Sequence, residues 1–195
     1  MLESDDALAG GFANPSVDAA HAFRAALNAM ARPGTIETVD LAKAPAPMSA
    51  AAAALVLTLC DGETPIWLSP SHDTDDVRTW IAFHTGAPIT SRDTAQFAIG
   101  PWDQMMPLGD FPIGTPEYPD RSATLIVEVE TLEPSGARLT GPGIEVDAHL
   151  SIPDHTGIHA NRAAFPCGLD FFFTSGRLLA ALPRTTIVTT LAEAV

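Results

Sequence analysis

The sequence predicts an α/β layered domain from three observations. Helix-period apolar spacing is concentrated in the first half, and apolar or β-branched runs recur throughout. The length of 195 residues, 46% of them hydrophobic, suits one core, so residues 1–195 read as a single domain. With 17% charged residues the chain is not of the disordered type.

The elements follow in order. From Ser16 to Arg32, Val17, Ala20, Phe23, Leu27 and Met30 recur every three or four residues, which predicts an amphipathic helix with these on its apolar face. Asn14-Pro15-Ser16 starts it and Arg32-Pro33-Gly34 stops it. Thr35 to Asp40 reads as a short strand. Ser49 to Cys60 is apolar nearly all round, the mark of a buried helix whose alanines permit close packing. Ile66 to Leu68 reads as a buried strand, and Asp73 to His84 as a helix stopped by Gly86. Gln96 to Ile99 predicts another strand. Prolines 101, 107, 112, 116 and 119 then predict an irregular but ordered loop over 100–121. Ala123 to Val129 and the alternating stretch Ile144 to Ile152 read as strands, Leu169 to Leu182 as a hairpin, and Thr185 to Thr190 as a last strand.

Charge and composition narrow the function. Twenty-four acidic against ten basic residues leave −14, a field that disfavours nucleic acid and membrane surfaces as partners. Nine of the ten basic residues are arginines, and the single lysine, Lys43, is a poor Schiff-base candidate. Two distant cysteines, Cys60 and Cys167, make no cysteine-rich metal or iron–sulfur site and fit a reduced, cytoplasmic setting. The acidic start lacks the layout of a signal peptide, and no apolar run is long enough to span a bilayer.

Several residues carry candidate chemistry, each beside a plainer reading. His84 closes a helix, where the dipole favours its protonated form; it is a candidate proton carrier or a histidine satisfied by backbone carbonyls. Gly141 and Gly143 flank Pro142 and form either an anion-binding nest or a tight turn. Arg184, Thr185 and Thr186 combine a guanidinium with two hydroxyls, which suits phosphate oxygens and equally suits a salt bridge. His155 and His159 are spaced for a metal, although Pro153 and Gly157 argue against the helix that would align them.

Ordered blocks carry a family resemblance. They are Ala22-Phe23-Arg24 through Met30-Ala31-Arg32-Pro33-Gly34, Leu59-Cys60-Asp61-Gly62, Phe83-His84-Thr85-Gly86-Ala87-Pro88, Leu139-Thr140-Gly141-Pro142-Gly143, Phe165-Pro166-Cys167-Gly168-Leu169-Asp170 and Leu182-Pro183-Arg184-Thr185-Thr186. In this order the chain resembles the PhnH family of the bacterial carbon–phosphorus lyase system.

The resemblance implies a three-layer αβα sandwich with a mixed sheet, similar to the large domain of pyridoxal-phosphate-dependent transferases but without that cofactor or a metal. It implies a homodimer that works with PhnG, PhnI and PhnJ in the step attaching phosphonate to ribose C1 of ATP with release of adenine. Two roles follow. In the first the chain is chiefly an assembly subunit, with helix 49–60 and loop 100–121 buried against a twin or partner. In the second, His84 moves a proton and Arg184, Thr185, Thr186, Gly141 and Gly143 hold phosphate of the ATP or phosphonate substrate. An independent hydrolase using His155 and His159 is a third reading.

Overall fold

The structure, a computed structural model, describes residues 8–189. A short ribbon pairs β1 (Gly11–Phe12) with β3 (Ala42–Lys43), on either side of α1 (Pro15–Ala31) and β2 (Glu37–Thr38). Next come α2 (Ala50–Leu59), β4 (Ile66–Leu68), α3 (Asp75–His84), β5 (Phe97–Pro101), the one-turn α4 (Trp102–Met105) and β6 (Thr124–Glu128). The chain continues with β7 (Ala137–Thr140), β8 (Ala148–Leu150), α5 (His155–Ala163), β9 (Asp170–Ser175), β10 (Leu178–Leu182) and β11 (Ile187–Thr189).

Six strands form the central sheet in the order β2-β10-β9-β6-β5-β4. The four strands β9, β6, β5 and β4 run parallel and β10 runs against β9, so the sheet is mixed. Both faces are buried, which explains why β6 and β9 read as continuous apolar runs. Alternation still decides the side: Phe172 joins the core on one face, Phe171 and Phe173 the core on the other.

Helices α1, α2 and α3 cover the first face. Ser49 Oγ caps α2 by accepting from Ala52 N–H and Thr74 Oγ1 caps α3 by accepting from Val77 N–H, whereas at the start of α1 no side chain caps the helix and the Asn14 backbone N–H donates to Asp18 Oδ2 at 2.7 Å. The periodicity of α1 is confirmed but its face is inverted. Ala22, Ala26 and Ala29 are buried, whereas Val17, Phe23 and Leu27 point outward, Phe23 at 52% and Leu27 at 57% exposure. The reason is the neighbour: residues 51–56 of α2 are wholly buried, four of them alanines, and the two helices pack small side chain against small side chain. Helix α2 therefore buries against its own chain, not against a partner as expected.

The second face corrects the αβα expectation. Among the described residues it is covered by the antiparallel sheet β11-β7-β8, by α5 and by the 100–121 segment rather than by a full helical layer. That segment is ordered, as expected, yet not wholly irregular: α4 fits between Pro101 and Pro107, and Trp102, Met105, Leu108 and Phe111 are buried. Only Ala148–Leu150 of the expected strand 144–152 is a strand, and it pairs with Ala137 to Leu139 of β7, a strand the sequence does not announce. Helix α5 forms despite Pro153 and Gly157, since Asp154 caps it by accepting from the N–H groups of Thr156 and Gly157. No helix among the described residues is long and apolar enough to cross a membrane.

Candidate functional site

Parallel pairing brings the carboxyl ends of β4, β5, β6 and β9 to one edge of the sheet. The register sets Leu68 beside Ile99, Pro101 beside Glu128, and Glu128 beside Thr174. This edge is where open α/β sheets place ligands. Glu128 ends β6 there, mostly buried. Its Oε1 accepts the Ser49 N–H at 2.7 Å and its Oε2 accepts the Thr174 hydroxyl at 3.0 Å, so one carboxyl joins β6, β9 and the start of α2.

His72 lies across from it, in the turn Ser69-Pro70-Ser71-His72 that follows β4. The Ser69 N–H donates to Ile99 O at 2.9 Å, and the His72 N–H donates back to Ser69 O at 2.8 Å, which closes the turn. His72 is only 4% exposed. Its Nδ1 lies 3.0 Å from Ser71 Oγ and 3.2 Å from Ser69 Oγ. Its Nε2 is buried without a hydrogen-bond partner and faces Glu128 Oε1 at 3.9 Å. Gly100 makes room for this turn, because a Cβ there would overlap Ser69 Oγ.

Burial governs the protonation of both groups. Desolvation pushes the Glu128 carboxyl above the ordinary carboxylate range and pulls His72 below the ordinary imidazole range. Both shifts favour the neutral forms. Glu128 also lines an open cleft of about 440 Å³, together with Pro101, Trp102, Asp103, Glu130 and Ser151. Among the described residues, no lysine or arginine lines this cleft.

The residues singled out in the sequence lie elsewhere. Arg184 is 12% exposed and its donors are committed: Nε and Nη2 to the Asp170 carboxylate, Nη1 to Pro119 O at 2.8 Å and Nη2 also to Ser122 Oγ. It is a latch between β9, the end of β10 and the 119–122 loop. Gly141 packs against the backbone of Thr185, Thr186 and Ile187, so the two candidate phosphate elements are neighbours. Thr186 is buried with its hydroxyl unpaired. Gly143, at φ +81°, presses on the backbone at Ala31 where no side chain would fit.

His84 belongs to the helical layer on the opposite face. Its ring lies 4.9 Å from Trp80 and is covered by the Gly11 backbone, with Nε2 buried and unpaired. His159 Nε2 is bonded to Val188 O at 2.8 Å, and among the described residues no three His, Cys, Asp or Glu side chains gather to hold a metal ion. Lys43 is exposed on β3, and burial drives the Cys60 thiol up to about 12.

The sequence reading passed over His72 and Glu128. A signal was present for Glu128, a carboxylate closing the otherwise apolar run Leu125-Ile126-Val127. His72, in a polar turn, gives none.

Comparison with known proteins fits the ordered blocks. The family model described as bacterial phosphonate metabolism protein (PhnH) matches residues 10–189. The alpha-D-ribose 1-methylphosphonate 5-triphosphate synthase subunit PhnH of Rhizobium meliloti (strain 1021) is 44% identical over 196 residues, covering 95% of this chain and 98% of that one. HtxG of Stutzerimonas stutzeri, whose name carries a provisional C–P lyase subunit assignment, is 30% identical over 176 residues, covering 85% of this chain and 83% of that one. The chain belongs to the PhnH family of bacterial phosphonate metabolism proteins.

Proposed function

We propose that this protein is a subunit of a carbon–phosphorus lyase assembly. It serves the synthase step in which phosphonate is attached to ribose C1 of ATP and adenine is released. Its main role is assembly, as a cytoplasmic homodimer that joins PhnG, PhnI and PhnJ, and it is not a catalyst on its own. The name of the Rhizobium relative supports the step. One structural observation supports the role: Val17, Phe23 and Leu27 form an outward apolar stripe on α1 while small residues fill the interior. The likeness to the large domain of pyridoxal-phosphate-dependent transferases, without the cofactor, belongs to the same reading; Lys43 is exposed on the β1–β3 ribbon.

Native mass spectrometry of the chain, alone and co-expressed with the three other subunits, tests this. A dimer that enters a stoichiometric complex is the expected result. A chain that stays apart from the other subunits overturns the reading.

A second reading gives Arg184, Thr185, Thr186, Gly141 and Gly143 a direct hold on phosphate and His84 a proton-transfer role. The contact between Gly141 and the 185–187 backbone favours it; the committed donors of Arg184 weigh against it. Arg184→Ala separates the two. Loss of synthase activity in an intact complex supports phosphate binding, and loss of the complex supports the latch.

A further inference from the structure

At the start of β9, α5 and the turn ahead of β11 meet around a small polar cavity that neither reading of the function uses. We propose that Arg162 of α5 and Thr186 of that turn bind a single halide ion, chloride in solution, which fastens the helix to the turn. The inference is independent of the synthase reading.

Two elements converge there. Ile158 and Arg162 lie one helical turn apart on α5 and share a face. Ile158 is 3% exposed in the core that holds Phe171 and Leu182, and Arg162 follows it to the same side. Thr186, also 3% exposed, comes from a turn that its own N–H closes by donating to Pro183 O at 2.9 Å. Ile158, Arg162, Phe171, Leu182, Arg184 and Thr186 line a cavity of about 10 Å³. That is room for one ligand the size of a water molecule and too little for a phosphate group.

The lining selects the ligand. Arg162 Nε and the Thr186 hydroxyl are both buried with no hydrogen-bond partner, and native proteins leave few such atoms unbonded. Arg162 is in no ion pair among the described residues, whereas Arg184 is balanced by Asp170. One positive charge at the cavity is therefore uncompensated. Among the described residues no carboxylate lines the cavity, and the Asn161 side chain beside it is committed to the N–H and C=O of Leu169.

Donors thus outnumber acceptors, and the Thr186 oxygen is the one side-chain acceptor left. Water would bring two hydrogens to such a lining. A halide, only slightly larger, brings none; it accepts from the Arg162 Nε–H and the Thr186 O–H and balances the guanidinium. The Phe165 ring, 4.9 Å from that guanidinium, holds it in place. A net charge of −14 works against anions in general, so retention depends on these two contacts.

Chloride-35 NMR of the full chain tests this. The native chain should broaden the chloride line beyond that of free solution, and bromide should reverse the broadening by displacement. Thr186→Val, which keeps the shape and loses the hydroxyl, and Arg162→Gln, which loses the charge, should each remove most of it. Thermal unfolding gives a second readout. Chloride at ten times its dissociation constant should raise the native Tm by about 3–6 °C over gluconate, a larger anion, at equal ionic strength. In gluconate Thr186→Val should melt no lower than the native chain, because it removes an unbonded buried hydroxyl; in chloride it should melt lower.

A chloride line equally broad for the native chain and both variants, or a native Tm indifferent to halide, overturns the inference. So does a long-lived water signal at the Thr186 methyl that bromide leaves undisturbed, since water would then hold the site. The chloride and bromide comparison is read on the unaltered protein and decides the matter even where a variant fails to fold.

Discussion

The two faces of the central sheet are sealed by opposite means. On one, Ala22, Ala26 and Ala29 of α1 meet the alanines of α2; on the other, Trp102, Phe171 and Phe173 interlock, with ring centroids 5.7 Å and 6.1 Å apart. Small side chains let helices approach closely, and that closeness leaves no volume for Phe23 or Leu27 beneath α1. The aromatic face has volume to fill and fills it. Which residues are buried is therefore settled by fit as well as by hydrophobicity.

The largest test of this contrast is Phe171→Ala. It removes a ring packed on both sides and should cost about 3–5 kcal/mol of stability in urea unfolding. A loss under about 1 kcal/mol would show that the rings are not the seal, since removing a packed aromatic ring from a core costs about 3 kcal/mol or more. Ala52→Leu probes the other face by adding volume where none exists. Overpacking predicts a loss of about 1–3 kcal/mol. A tolerated leucine would mean that the helical layer has slack, and the contrast would fail.

Much of this fold was legible in the sequence because its main elements have local causes. The helix starts, the long alanine helix and the run of Phe171 to Phe173 all follow from spacing, caps and composition. The orientation of α1 was not legible, since both its faces carry apolar residues at helical spacing and only the tertiary neighbour chooses between them. The family was readable from short ordered blocks. The carboxyl-edge pair was not: residues 56 positions apart meet only through the register of parallel strands. Arg184 was visible as a residue that holds oxygen atoms, but its partners Asp170, Ser122 and Pro119 become neighbours only in the fold.

The buried pair gives a smaller, pH-dependent effect. Burial lowers His72 below its usual 6.5, so the unfolded chain takes up a proton there that the folded chain refuses. Stability from a neutral His72 is present above about 6.5 and is lost as pH falls below it. Glu128 works in the other sense: raised above its usual 4.5, it stabilises the fold at low pH and loses that contribution as pH rises through the folded transition. His72→Gln removes the first dependence, so the native chain should lose stability relative to this variant between pH 7 and pH 5. Parallel curves in thermal unfolding would show that His72 is not held neutral.

The smallest effect on the isolated chain, and the most informative for the assembly, is expected on the outward stripe. Phe23→Ser with Leu27→Ser alters two residues that are more than half exposed, so monomer stability should shift by no more than about 0.5 kcal/mol each. Self-association and entry into the complex should weaken together, read by sedimentation and native mass spectrometry. The two readouts separate fit from function. A loss of about 2 kcal/mol in the monomer would place these side chains in its own core and overturn the contrast between the faces. An unchanged monomer whose association fails would show that the alanine seal turns the larger apolar residues of α1 outward to meet another protein.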